Sequence, residues 1–193
     1  MNKSISKEEL NVLPVQSFEG EIVVIDYARD LKKILPYLLK QKVLGFDTET
    51  KPTFAKGKKN QVALLQLATE KSAFLFRINK MGLPAELVEV LENPDITKVG
   101  VAINDDIKAL RCLTNFKPGG FVEIQEKVKD FDIENFGLKK LSGLLLGFRI
   151  SKAQQTSNWE AEQLTEAQLK YAATDAWVSL EIYNRLLEIE QAS

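Results

Sequence analysis

Val43-Leu44-Gly45-Phe46-Asp47-Thr48-Glu49 is the stretch from which the rest of the chain is read. Its apolar opening predicts a strand. The strand ends in carboxylates, and Thr50-Lys51-Pro52 breaks the pattern behind them. Side chains alternate across a strand, so Asp47 and Glu49 share a face. Functional groups of open α/β sheets commonly sit at such strand ends. By itself Asp-x-Glu is weak, because it is also the pattern of a solvated strand terminus.

Other elements fall on either side of this strand. Upstream, residues 1–20 read as an irregular arm with one helical turn around Lys7-Glu8-Glu9-Leu10. Glu21-Ile22-Val23-Val24-Ile25 is a β-rich run, and Leu31, Ile34, Leu35, Leu38 and Leu39 mark a helical face that Pro36 should kink or split. Downstream, Val62–Leu67 and Ala73–Ile78 predict strands joined by a turn at Thr69-Glu70-Lys71-Ser72. Pro84–Glu92 reads as a helix with proline in its first turn, and Thr97–Val101 as a further strand. The pattern then turns helical over 105–114, 124–130, 138–146 and 165–189. In the last of these, Thr165-Glu166-Ala167-Gln168 has the form of a capping box. Strands alternating with helices predict an α/β fold with helices packed on a sheet. With 193 residues and no linker or repeat, the organisation expected is an arm over 1–20 and a single domain over 21–193.

Composition removes several chemistries. The chain contains no histidine, which excludes a histidine general base, a Ser–His–Asp triad and a His-ligated zinc. The single Cys112 has no partner for an intramolecular disulfide and reads as a packing or surface residue of a helix. The absence of a cysteine framework, of a signal-like N-terminus and of a long apolar run leads us to expect a cytoplasmic protein with no membrane partner. A formal charge of −1 argues against a general polycation surface but leaves local basic patches open.

Two further acidic sites accompany Asp47 and Glu49. Asp105 and Asp106 follow Val99-Gly100-Val101-Ala102-Ile103-Asn104, where a strand runs into a helix. Asn104 and Asp105 suit helix capping, whereas Asp106, beside Ile107 and Leu110, is placed to point back to the end of the sheet. Tyr171 and Asp175 stand four residues apart, hence on one face of the last helix. Small neighbours (Ala172, Ala173, Ala176) allow that helix to approach the sheet closely. Carboxylates converging from distant parts of a chain repel one another, and cations between them relieve the repulsion.

In order, Phe46-Asp47-x-Glu49, Gly100-Val101-x-Ile103-x-x-Asp106 and Tyr171-x-x-x-Asp175 resemble the three motifs of the DEDDy 3′–5′ exonucleases. Leu138-Lys139-Lys140-Leu141, Ser157-Asn158-Trp159 and the run from Leu164 to Ala176 extend the likeness to the Werner-syndrome-type exonuclease domain, with ribonuclease D more distant. The resemblance spans about residues 40 to 188. It implies a ribonuclease H-like fold, a mixed central β-sheet flanked by α-helices. It also implies that Asp47, Glu49, Asp106 and Asp175 bind two divalent ions, Mg²⁺ or Mn²⁺, and that Tyr171 orients the attacking water. On this likeness Asp47 bridges the ions, Glu49 and Asp175 complete the one that generates hydroxide, and Asp106 holds the other. The histidine subclass is excluded by composition. Glu123, in Val122-Glu123-Ile124-Gln125, stands where relatives often carry Asp and is given no catalytic role.

The expected partner is single-stranded or 3′-recessed nucleic acid, DNA rather than RNA. The alternatives are ribonuclease D-like processing of RNA 3′ ends and an inactive binding or scaffolding module. Lys51, Lys56, Lys58 and Lys59 form one acid-free basic segment, and Lys139, Lys140, Arg149 and Lys152 another. Either is an ordinary solvated loop or a track for phosphates. The candidate nucleic-acid contacts are Thr48, Phe54, Lys56, Lys58, Lys59 and Lys152, with Phe54 available for base stacking. Trp159 and Trp177 are expected as core anchors.

Overall fold

The apolar run opening at Val43 becomes a strand deep inside the sheet. The computed structural model describes residues 2–53 and 60–192. Its strands are β1 (Glu21–Ile25), β2 (Val43–Thr50), β3 (Val62–Ala68), β4 (Ser72–Phe76), β5 (Thr97–Gly100) and β6 (Phe121–Glu123). They form a six-stranded sheet in the order β1-β4-β3-β2-β5-β6. The β2–β3 and β3–β4 pairs are antiparallel, and β1–β4, β2–β5 and β5–β6 are parallel. The sheet is therefore mixed, as expected. The predicted turn at Thr69–Ser72 is closed by the Thr69 amide donating to the Ser72 carbonyl at 2.8 Å. The Thr69 hydroxyl also accepts from the Ser72 amide at 3.0 Å.

The helices are α1 (Lys7–Val12), α2 (Leu31–Leu38), α3 (Ile78–Met81), α4 (Ala85–Glu92), α5 (Asn104–Leu113), α6 (Ile124–Lys127), α7 (Leu138–Leu141) and α8 (Glu166–Gln191). Alternation along β2 divides the two layers. Leu44 and Phe46 join Leu31, Leu38, Leu87, Leu91 and Leu110 on the side of α2, α4 and α5. The other face packs against α8, whose Ala172, Ala173 and Ala176 lie with Leu64, Ala68, Ala73 and Leu75. The approach is close enough to require glycine: a Cβ at Gly45 would stand 1.9 Å from the Ala176 carbonyl oxygen. The small residues flagged by the sequence thus set the depth at which Asp175 meets β2.

Several details depart from expectation. Pro36 does not split α2, which runs on to Leu38. Strand β6 had no counterpart in the sequence reading, and Trp177 is only partly buried, between Phe18 and Phe148. Trp159 is fully buried, as expected. The predicted capping box of α8 is present, with Thr165 and Gln168 bonding reciprocally. No helix among the described residues is long and apolar enough to cross a membrane.

The arm is tied down along its length. Leu10 and Phe18 are buried, and the Phe18 amide donates to the Thr174 hydroxyl on α8 at 3.0 Å. Arg149 bonds the arm's Leu13 carbonyl through Nε at 3.1 Å, and its backbone bridges to Val15. Arg149 is thereby part of the arm's anchorage.

Candidate active site

Asp47 and Glu49 project from the α8-facing side of β2 in its C-terminal half, and Asp175 reaches them from α8. One oxygen from each lies within 4.8 Å of the others. Glu49 and Asp175 are 9% and 8% exposed, so the cluster is largely withdrawn from water. Asp175 Oδ1 is buried without a hydrogen-bond partner among the described residues. A carboxylate oxygen left in this way carries a desolvation cost that a bound cation offsets.

Electrostatics point the same way. Burial, with Asp175 and Asp106 nearby, holds the Asp47 carboxyl well above the usual range. Burial and the neighbouring Asp47, Asp175 and Asp106 push Glu49 up to about 10. Burial raises Asp175 to about 7, opposed by the Tyr171 phenol and the Lys152 charge. The Tyr171 hydroxyl is raised by burial and by Asp175 and Glu49, so the phenol keeps its proton. The site is built to repel a proton's departure until another cation replaces it.

Asp106 stands beside this triplet. Its carboxylate accepts a hydrogen bond from the Thr48 hydroxyl, on the β2 residue between Asp47 and Glu49. Burial raises it to about 6, with the Thr48 bond pulling the other way. The strand-to-helix junction thus points Asp106 back at the sheet, as its spacing suggested. Asp105 turns outward to an exposed ion pair with Lys108 at 2.9 Å.

The expected cap at Asn104 or Asp105 is not the one formed. Ile103 occupies the cap position of α5 and offers no side-chain bond. Ala102 adopts a left-handed φ of 64°, and the Glu123 carboxylate accepts from the Ala102 amide at 2.8 Å and the Ile103 amide at 2.7 Å. Glu123 also accepts from the Gln125 amide at 3.0 Å. Glu123, to which the sequence assigns no catalytic role, therefore clamps the turn that aims Asp106. The only hint was a carboxylate in an otherwise apolar triplet, and its partner lies about one strand away.

The cluster opens into a cleft of about 310 Å³, lined by Asp47, Thr48, Glu49, Lys152, Tyr171 and Asp175 among others. Lys139 also lines it. Lys51, counted in the first basic segment, is paired with Glu160 at 3.3 Å. Phe54, Lys56, Lys58 and Lys59 lie outside the described residues. Behind Tyr171, the buried Trp159 ring packs with its centroid 5.9 Å away, which fixes the phenol from the rear.

The sheet order, the long packed helix and the acidic cluster between them define a ribonuclease H-like nuclease domain. This chain belongs to the DEDDy 3′–5′ exonuclease family, whose model, described as 3′-5′ exonuclease, matches residues 22–190. It is 36% identical over 198 residues to the mouse bifunctional 3′-5′ exonuclease/ATP-dependent helicase WRN, covering 96% of this chain and 14% of that protein. The chain therefore spans a small part of that relative. Among solved structures, the Aedes aegypti Nibbler EXO domain superposes with a TM-score of 0.81 at 27% identity, covering 92% of this chain and 94% of that one. Escherichia coli RNase D shares the fold, with a TM-score of 0.77 at 22% identity over 91% of this chain and 46% of that one.

Proposed function

We propose that this domain is a metal-dependent exonuclease that shortens nucleic acid from the 3′ end and releases nucleoside 5′-monophosphates, with DNA the preferred substrate. The observation that carries the reading is the convergence of Asp47, Glu49 and Asp175 within 4.8 Å, with one Asp175 oxygen buried and unpartnered. An all-oxygen donor set suits hard divalent ions such as Mg²⁺ or Mn²⁺. Asp47, Glu49, Asp106 and Asp175 are the residues to hold two of them. Bound there, such ions stabilise charge on the phosphate and make water acidic enough to attack it.

The chain's own groups do the rest. Tyr171, which keeps its proton, offers a donor at the mouth of the cluster to orient the attacking water. Lys152, whose charge is felt at Asp175, stands where a substrate phosphate would enter. Thr48 holds Asp106 and so couples the position of the second acid to the strand carrying the first. Packing by Trp159 keeps the phenol from swinging away from the reacting phosphate.

The preference for DNA follows from the resemblance of the motifs to the Werner-syndrome-type exonuclease domain, to which the 36% identity with the mouse exonuclease/helicase adds support. RNA trimming is the second reading. It is favoured by the uncharged polar groups of Gln125, Ser151 and Gln155 along the cleft, which can meet a 2′-hydroxyl. Matched DNA and RNA single strands, 5′-labelled and incubated with Mg²⁺ or Mn²⁺, test both. Stepwise shortening from the 3′ end, faster on DNA, is expected. No shortening with either ion rejects the enzyme in favour of an inactive binding module, and faster shortening of RNA reverses the substrate preference.

A further inference from the structure

Gln66 sits in the middle of β3, in the otherwise apolar run Val62-Ala63-Leu64-Leu65-Gln66-Leu67-Ala68. It is fully buried. Neither Nε2 nor Oε1 of its amide has a hydrogen-bond partner among the described residues. A primary amide is a poor occupant of such a place, because its donors and acceptor have all lost water without replacement.

Its position explains what it is near. In the antiparallel β2–β3 ladder the residue directly opposite Gln66 is Asp47. Residues so paired project from the same face with Cβ atoms about 4.5–5.5 Å apart, well within the combined reach of the two side chains. On its other flank, Gln66 pairs with Leu75 of β4, which can offer it nothing. Leu64 and Leu75, which surround it on this face, pack with Trp159 and Ala172. Gln66 thus lies beneath the turn of α8 that carries Tyr171 and Asp175. Two other buried polar atoms of this neighbourhood also have no partner among the described residues: Asp175 Oδ1 and the indole Nε1 of Trp159.

We propose that Gln66 is a positioning residue for the exonuclease site, an inference that rests on the function proposed above. Its amide donates from below to the Asp47 carboxylate, through a buried water, and fixes the rotation at which that carboxylate faces the ions and the phosphate. Buried waters gather where several unsatisfied polar atoms meet, and they typically make about three hydrogen bonds. An amide is suited to the task because it donates to a carboxylate without adding charge. A lysine here would neutralise the cluster, and a second acid would add to its repulsion. Outer partners of this kind orient metal-binding carboxylates, and their loss typically costs about 10–100-fold in metal affinity or activity.

The test separates positioning from packing. Gln66→Met conserves volume and removes the unpaired amide, so a packing role predicts an unchanged or raised melting temperature and unchanged catalysis. The positioning role predicts a metal-free melting temperature at or above wild type and an unchanged KM. It also predicts a kcat lowered at least tenfold and a Mn²⁺-induced rise in melting temperature reduced by half or more. A wild-type value of either kcat or the Mn²⁺-induced rise overturns the proposal. If Gln66→Met does not fold, Gln66→Leu, which likewise removes the amide without adding charge, is read by the same criteria. If the wild-type protein shortens no strand, the exonuclease reading fails, and the Mn²⁺-induced rise alone then decides the role of Gln66.

Discussion

Glu123 and the Asp47–Glu49–Asp175 cluster are acidic groups at the same end of one sheet, and they are solved in opposite ways. Glu123 accepts from the backbone amides of Ala102, Ile103 and Gln125. Its charge is spent on fixing a turn. The cluster is packed together with an oxygen of Asp175 left unpartnered, and its members are held toward the protonated form. The contrast teaches that residue type does not separate a structural acid from a functional one. What separates them is whether the protein itself satisfies the charge.

Removing one acid from each region should have very different consequences. Asp47→Asn should lower 3′-end cleavage at least about 1000-fold, since ion-mediated charge stabilisation is worth several kcal/mol. A strand-binding measurement at low salt should stay near wild type. Single-turnover kinetics check it, and a fully active variant would place the site elsewhere. Tyr171→Phe keeps the ring against Trp159 and removes only the hydroxyl. Its single-turnover rate should fall about 100-fold or more with little change in melting temperature.

Glu123→Ala should behave as a structural lesion. Leaving three backbone amides without their acceptor is expected to cost about 1–3 kcal/mol in denaturant unfolding. Activity should fall only as far as Asp106 is displaced. If Glu123→Ala instead abolished cleavage in a fully stable protein, the division between the two regions would fail.

A milder probe is pH. Asp106 and Asp175 titrate near about 6 and about 7 in the folded, metal-free chain, against an ordinary value of 3.8. Folded carboxyls with raised pKa bind protons more tightly than unfolded ones. Their contribution therefore favours folding at low pH and is lost as pH rises from about 4 to about 7, with Glu49 extending the loss toward about 10. Urea unfolding in chelator should show this decline, and divalent ion should flatten it. Asp47→Asn should also reduce it, whereas a Glu123 variant, which removes only the smallest of the influences raising Asp106, should leave most of the slope in place.

Much of this arrangement is legible in the amino-acid sequence. The apolar run to Asp47, the capping box at Thr165 and the spacing of Tyr171 and Asp175 are local patterns, and local patterns survive in a linear reading. The alanines of α8 announced a close helix, and Gly45 proved to be its counterpart. The roles of Glu123, Gln66 and Arg149 were not legible, for one physical reason. Each is defined by a partner brought close by pairing of distant segments: Glu123 across β5–β6, Gln66 across β2–β3, Arg149 against the arm. Strand β6 is three residues long, too short to show alternation, and exists because β5 offers it an edge. Asn104 illustrates the converse, a good local capping residue bypassed because a carboxylate from another strand arrives first.

The unsatisfied acids are thus expected to bind cations and the satisfied Glu123 is not. Melting temperature measured in chelator and in Mn²⁺ at about 100-fold over its Kd tests it directly for wild type, Asp47→Asn and Glu123→Ala. Wild type and Glu123→Ala should each rise by about 5–10 °C with Mn²⁺ from their own baselines, and Asp47→Asn by far less. Equal melting temperatures with and without Mn²⁺ in the wild-type protein, or an undiminished rise in Asp47→Asn, would contradict the account.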